Sequence, residues 1–281
     1  MTQKITVALL ILIGTSFLAT ANIISGKVTG KDGKGLSGVF VSAHDLDNRK
    51  GSGVFTAKDG SFTIEDLRDK AHKVRARLLG QNDVWLEDIA PGSPSLTIAM
   101  TPASGWKLEK QRTADSAFAM LKFDASRDKL NFKMFCSYCH QIGTVPFRTP
   151  EQPVDWETMI RRMDGFGGLY RHSQKTIIKR IIDTYKDDAV DSWPKFVPPS
   201  APTGAAAKAK ITWWEMGKRY ESTYHDIDLS PDGRLIYAVN ITKGYMVTVD
   251  IKTDEKVYKK FPRGSHGPHS IEPDNDGHMW V

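Results

Sequence analysis

The two cysteines of the chain lie in one short motif, Cys136-Ser-Tyr-Cys139-His140. Two thiols that are three residues apart on a helical turn can form thioether bonds with the two vinyl groups of one porphyrin, and the imidazole of the next residue can ligate the iron. The spacing therefore predicts covalent attachment of one haem c through Cys136 and Cys139, with His140 as the proximal iron ligand.

Two other chemistries use a Cys-x-x-Cys pair. A thioredoxin-like redox dithiol needs a strand–helix–strand setting, whereas the residues around this motif have the apolar spacing of helices. A structural zinc site needs a second pair of ligands at suitable spacing, and no such pair is obvious in the sequence. The dithiol and the zinc site remain alternatives to haem.

The distal side of such a haem has three candidate ligands. Met163 ends an apolar stripe and precedes the glycine-rich run 165–168, which makes it the first candidate. Met159 lies one turn earlier, and His172 would give a haem with two histidine ligands. A methionine on an apolar stripe can equally be packed in a core. Arg148 is a candidate contact of a haem propionate, because a guanidinium matches the geometry of a carboxylate, or else an arginine of an exposed loop.

The N-terminus has the pattern of an export signal. Lys4 is followed by a mainly apolar run from Ile5 to Leu18 and then by Ala19-Thr20-Ala21, a small-x-small cleavage site. The run is shorter than the about 20 apolar residues that span a bilayer. We therefore expect a signal peptide over residues 1–21 and a periplasmic or otherwise exported protein with no membrane span after the signal is removed. An uncleaved membrane anchor is the alternative.

Residues 22–102 alternate short β-branched runs with turns such as Lys58-Asp59-Gly60. This pattern predicts an all-β sandwich of the prealbumin or immunoglobulin kind. The segment from Gly26 to Leu67, read as G-x-V … G-L-x-G-V-x-V … T-x-x-D-G-x-F-x-I-x-x-L, resembles the carboxypeptidase regulatory-like family. The resemblance implies a non-catalytic module.

Residues 113–192 have helical spacing, and we expect them to form an all-α domain. The segment resembles class I cytochrome c domains, with the pattern C-x-x-C-H-x-x-G … R … W-x-x-x-x-x-R-M … G. The positions of that pattern after the haem motif are Gly143, Arg148, Trp156, Arg162, Met163 and Gly165. The resemblance implies a helical haem domain in which Met163 and Arg148 lie at the haem.

The last part of the chain contains a repeat. After a proline- and alanine-rich linker over residues 193–210, the stretch 225–233 recurs as 269–277, at the spacing of propeller blades. The repeat resembles streptogramin (virginiamycin B) lyase-like propellers. Because a propeller needs at least about four blades to close, we expect residues 211–281 to form an incomplete β-propeller of about one blade. The catalytic residues of that family lie outside these blades, so none is assigned.

These features combine into one interpretation of fold and function. The expected fold class is multidomain α+β: an all-β sandwich, an all-α cytochrome c-like domain and an incomplete β-propeller. The expected function is electron transfer to or from a redox partner protein, with a lyase-type propeller enzyme or a module that binds carbohydrate, another small molecule or protein as alternatives. The net charge of +6 comes from scattered lysines and arginines, so we expect no nucleic-acid binding.

Overall fold

A computed structural model describes residues 22–137, 141–145, 156–165, 174–185, 192–217, 224–262 and 267–281. Fourteen strands run through these residues: β1 Ile24–Thr29, β2 Phe40–Asp45, β3 Lys50–Phe55, β4 Ser61–Ile64, β5 His72–Arg77, β6 Val84–Ile89, β7 Leu96–Ala99, β8 Lys210–Trp214, β9 Tyr224–Leu229, β10 Leu235–Asn240, β11 Tyr245–Asp250, β12 Lys256–Lys260, β13 Glu272–Pro273 and β14 Met279–Trp280. The α-helices of the same residues are α1 Gly105–Glu109, α2 Ala114–Phe118, α3 Ser126–Cys136, α4 Trp156–Gly165 and α5 Gln174–Tyr185.

The first seven strands form a β-sandwich, as the sequence predicts. One sheet has the order β4-β1-β7, and the facing sheet has the order β6-β5-β2-β3 before a further strand is added. The core lies between the two sheets and contains alternate residues of their strands, because successive side chains of a strand point to opposite faces. Its buried members include Val28, Val41, Ile64, Val74 and Ile98.

The turn between β3 and β4 depends on a glycine. Gly60 has a φ of 86°, a conformation that L-residues with a Cβ rarely adopt. A Cβ at this position would also overlap the carbonyl oxygen of Val28. The Asp-Gly pair of the sequence therefore fixes a tight turn that brings β4 back beside β1.

Strand β8 belongs to the sandwich although it lies more than a hundred residues further along the chain. It pairs antiparallel with β3, with Trp213 opposite Gly51 and Trp214 opposite Lys50, and gives the sheet the order β6-β5-β2-β3-β8. The preceding segment also follows the sandwich, since Pro198 lies near Gly80.

The expected fold class is wrong in its all-α cytochrome c-like domain. The described residues are mostly β, with about 33% strand against 21% helix. The apolar stripes at helical spacing do form helices, but α4 has no fully buried residue. The helices form a short section of the chain, and the segment that follows it returns to the sandwich through β8. Helical periodicity predicted individual helices correctly, but the all-α domain inferred from it was wrong.

The last part of the chain forms a separate sheet of four antiparallel strands in the order β12-β11-β10-β9, followed by the two-stranded β13–β14 hairpin. Its core comprises Ala238, Val247 and Val249, on which Trp214 and Met216 pack. The sheet contacts the sandwich through the tip of the β2–β3 hairpin, where Lys50 forms an ion pair of 2.8 Å with Asp254. None of the helices in the described ranges has the length and apolar character that crossing a membrane requires.

Candidate functional site

Cys136 is the last residue of helix α3 and is half-buried, with a free thiol. It packs against an apolar cluster of the helical segment, in which Phe118 and Phe132 stack with their ring centroids 5.9 Å apart. Cys139 and His140, the other two residues of the predicted haem site, lie outside the described residues.

The surroundings of Cys136 disfavour the thiolate form of its side chain. Burial raises the pKa of Cys136 to about 11, because an apolar environment disfavours the thiolate. Thiols of redox-active Cys-x-x-Cys motifs and of metal sites have a lowered pKa, because the thiolate is the attacking or ligating species. The described surroundings of Cys136 thus do not favour the thiolate that the dithiol and zinc alternatives use.

Apolar side chains near Cys136 in the sequence remain open to solvent. On α3, Met134 is 61% exposed and Leu130 57%, one helical turn apart, and Phe135 is 45% exposed. Helix α4 and helix α5 each add one more, Met159 and Ile182. On α3, Leu130 and Met134 lie on a different face from Cys136, which follows the buried Phe132 by one turn.

The two candidate distal ligands among the described residues, Met163 and Met159, differ in their exposure to solvent. Met163 lies near the C-terminal end of α4 and is half-buried, while Met159, one turn earlier, is exposed. Ile160 of the same helix packs against the apolar cluster that includes Cys136. Arg148 and His172 lie outside the described residues. Met163 thus lies on a helix that shares the cluster of Cys136.

Arg112, which the sequence analysis did not identify, connects the two ends of the helical segment. Its Nε donates to Glu109 at 2.7 Å, and its Nη2 donates to the carbonyl of Pro194 at 2.8 Å. The guanidinium also lies over the rings of Trp193 and Phe196. The signal that could have indicated this role was an arginine before a helix start and a Trp-Pro pair about 80 residues later.

Gln111 links the N-terminal end of the helical segment to the sandwich. Its amide accepts from the backbone N–H of Gly80 and donates to the carbonyl of Gln81, both at 2.7 Å. The helical segment that contains α3 is therefore hydrogen-bonded to the β-sandwich near its N-terminal end.

Two histidine-containing clusters lie in the last part of the chain. The rings of His225 and His269, at equivalent positions of the repeat, have centroids 3.6 Å apart. Asp274, Asp276 and His278 bring potential metal ligands within 4.8 Å of one another. The Asp274 carboxylate accepts hydrogen bonds from the Trp280 indole and from the backbone N–H groups of Asp276 and His278. These bonds are those of a turn, and they explain why the three side chains lie together.

The outer face of the five-stranded sheet holds a further group that the sequence analysis missed. The imidazole of His44 lies between two indole rings, 5.2 Å from Trp85 and 5.1 Å from Trp213. Its Nε2 is 3.0 Å from the hydroxyl of Ser42. Burial, followed by the nearby Arg75, lowers the pKa of His44. The sequence signal was the pair of alternate glycines in β3, Gly51 and Gly53, which leaves space for rings from neighbouring strands.

Comparison with known proteins identifies one part of the chain. A search of curated proteins finds no significant match. The model of the family described as "Carboxypeptidase regulatory-like domain" matches residues 23–101. The match covers strands β1 to β7 and stops before the helical segment. Residues 23–101 therefore form a carboxypeptidase regulatory-like domain with a β-sandwich fold.

Proposed function

We propose that the chain is an exported electron-transfer protein that holds one haem c through Cys136, Cys139 and His140. The observation that carries the proposal is the Cys-x-x-Cys-His motif beginning at the end of α3, with its first thiol half-buried in an apolar environment. When bound, haem c supplies one-electron iron chemistry whose potential depends on the axial ligands and on burial.

The described residues fit a porphyrin better than they fit the other uses of two cysteines. A thioether is neutral, so it tolerates the apolar surroundings that disfavour a thiolate at Cys136. On α3, Cys136 lies one turn after the buried Phe132, so apolar side chains of the helical cluster lie on the face that would carry the macrocycle. In this proposal His140 ligates the iron, Met163 is the candidate distal ligand and Arg148 is a candidate propionate contact.

The proposal does not depend on a cytochrome c fold. It needs only a helix that ends at the first cysteine, apolar cover for the macrocycle and an anchor for the helix. Helix α3 packs through Phe132, which is 1% exposed, and Arg112 ties the start of the helical segment to its end. The lyase-like activity suggested by the repeat stays a prediction without an assigned residue.

A direct test uses the full chain expressed with an export signal and a cytochrome c maturation system. We expect a band that stains for haem peroxidase activity on a denaturing gel, because covalent haem survives denaturation. The Cys139→Ala variant should lose most of that staining, and Ser137→Ala, a change between the two cysteines, should keep it. Equal staining of both variants, or none in the parent protein, would refute the proposal.

A second measurement separates the roles of the axial ligands. His140→Ala should alter the reduced-minus-oxidised spectrum, because the proximal ligand sets the electronic state of the iron. Met163→Ala should shift the reduction potential downward if its thioether is the distal ligand, and Met159→Ala is the matched control from the same helix. A larger shift for Met159→Ala would reassign the distal position.

A further inference from the structure

The outer face of the five-stranded sheet carries a continuous row of rings. Trp85 of β6, His44 of β2 and Trp213 of β8 follow one another across the sheet, with the His44 ring about 5 Å from each indole. The two indole rings are thus at most about 10 Å apart. Trp85 is 41% exposed. We call these three residues the aromatic row.

Glycines in β3 give the aromatic row its shape. Gly51 lies opposite both His44 and Trp213 in the register of the sheet, and a Cβ there would overlap the Trp213 indole. A Cβ at Gly53 would lie 2.6 Å from the ring of Phe40. Because β3 has no side chains at these two positions, rings from the neighbouring strands lie over it, with the Trp213 indole at 69° to the His44 ring. Glycine in a strand interior is otherwise unfavourable.

Two cations beside the aromatic row are each paired with a carboxylate. Lys73 lies 4.8 Å above the Trp85 ring and forms an ion pair of 2.7 Å with Glu87. Arg75 lies 5.1 Å from the same ring, and its Nε donates to Asp83 at 3.0 Å. Each cation therefore has a carboxylate beside it. A polyanion such as single-stranded nucleic acid or an acidic polysaccharide needs a net positive groove, which these pairs do not provide.

We propose that the aromatic row binds a neutral polysaccharide. The apolar faces of two pyranose rings of one chain stack on Trp85 and Trp213, since aromatic side chains combine a large apolar surface with specific geometry. The ring hydroxyls exchange hydrogen bonds with the Lys73–Glu87 pair and with Arg75, groups that offer donors and acceptors together. Sites for small molecules typically combine aromatic side chains with a small number of placed polar groups.

The site belongs to the whole chain and not to the sandwich domain alone. Trp213 lies on β8, outside the residues 23–101 that match the carboxypeptidase regulatory-like family. A fragment that ends at residue 102 therefore lacks one end of the aromatic row. The proposal is independent of haem, so failure of haem attachment leaves it unchanged.

Affinity electrophoresis of the full chain in gels that contain one polymer each tests the proposal. The neutral probes are soluble xylan, glucomannan, hydroxyethylcellulose and dextran, and the charged probes are polygalacturonate and single-stranded DNA. We expect retardation by at least one neutral polymer and none by the charged ones. Retardation by none of the neutral polymers, or stronger retardation by a charged one, overturns the proposal.

Single variants locate the site. Trp85→Ala and Trp213→Ala should each weaken binding about tenfold or more, as truncation of a central aromatic contact does at binding surfaces. Trp213→Phe, which keeps a ring, should retain part of the affinity if Trp213→Ala folds poorly. Trp280→Ala removes an exposed tryptophan outside the aromatic row and is the matched control. An equal loss in the Trp280 variant, or no loss in the Trp85 variant, contradicts the assignment.

Discussion

Replacing Arg112 tests how the helical segment is held. The side chains of Arg112 and Glu109 are 4% and 10% exposed, so Arg112→Leu leaves a buried carboxylate without its cation. Removing one partner of a buried ion pair costs about 3–5 kcal/mol. The Pro194 carbonyl also loses its donor, but Pro194 is exposed, so water can take the place of that donor. We expect a total loss within the range for the buried ion pair.

The double variant Glu109→Leu/Arg112→Leu separates charge from packing. It removes both charges, and an apolar replacement of a buried pair is often neutral. The free energy of unfolding should therefore recover to within about 0.5–1.5 kcal/mol of the parent protein, the remainder being the hydrogen bond to the Pro194 carbonyl.

Urea unfolding followed by far-ultraviolet circular dichroism, which reports on the helices, measures these changes. Arg161→Leu is the control, because its ion pair with Glu157 is two-thirds exposed on both sides and should contribute at most about 0.5 kcal/mol. A loss below about 1 kcal/mol in Arg112→Leu, or a double variant no more stable than the single one, would refute the role of Arg112 as the buried anchor of this segment.

Three further predictions concern other parts of the chain. Gly51→Val should lower the free energy of unfolding by about 1–3 kcal/mol, because the new side chain displaces the Trp213 indole; unchanged urea unfolding and tryptophan fluorescence would contradict it. Hydrogen bonds from Arg234, and after them bonds from backbone N–H groups, lower the pKa of Asp250 to about 2. The ionised Asp250 therefore stabilises the fold above the pKa of an unfolded aspartate, and this stability is lost as the pH falls through the pKa of the folded state. Arg234→Ala should raise that pKa in an NMR titration, and an unchanged value would show that the pairing is not formed. The last prediction uses haem-free protein in which Cys139 is replaced. Cys136 should react with iodoacetamide at neutral pH on the order of a hundredfold more slowly than free cysteine, because its pKa is raised to about 11. Equal rates would show that the Cys136 thiol is exposed to solvent.

The sandwich could be predicted because its signals are local. Alternation such as that of Phe62 and Ile64, which are buried between exposed neighbours, fixes which face of a strand is inside. The Asp-Gly turn at Gly60 fixes where the strand reverses. Both signals act within a few residues, so the sequence contains them in readable form.

The long-range features could not be predicted in the same way. Strand β8 joins β3 across more than a hundred residues, and neither its Trp213 nor Gly51 of β3 indicates the other by spacing alone. The anchor of Arg112 on Pro194 has the same character. The prediction of an all-α domain was wrong for this reason. Apolar stripes predict helices, but they do not predict which strands the rest of the chain pairs with.

The candidate site lies between these two cases. The motif at Cys136 could be found from residue types and spacing, and its role stays a prediction. The apolar environment that raises the pKa of Cys136 could not be predicted from the motif, since it depends on which side chains pack around the end of α3.

The most direct measurement is the intact mass of the purified, exported protein after expression with a cytochrome c maturation system. The account predicts a mass higher than that of the processed chain by one haem, together with a reduced-minus-oxidised absorbance spectrum that Cys139→Ala abolishes. A colourless protein whose mass equals that of the polypeptide alone, obtained while a known c-type cytochrome matures normally in the same cells, would contradict it.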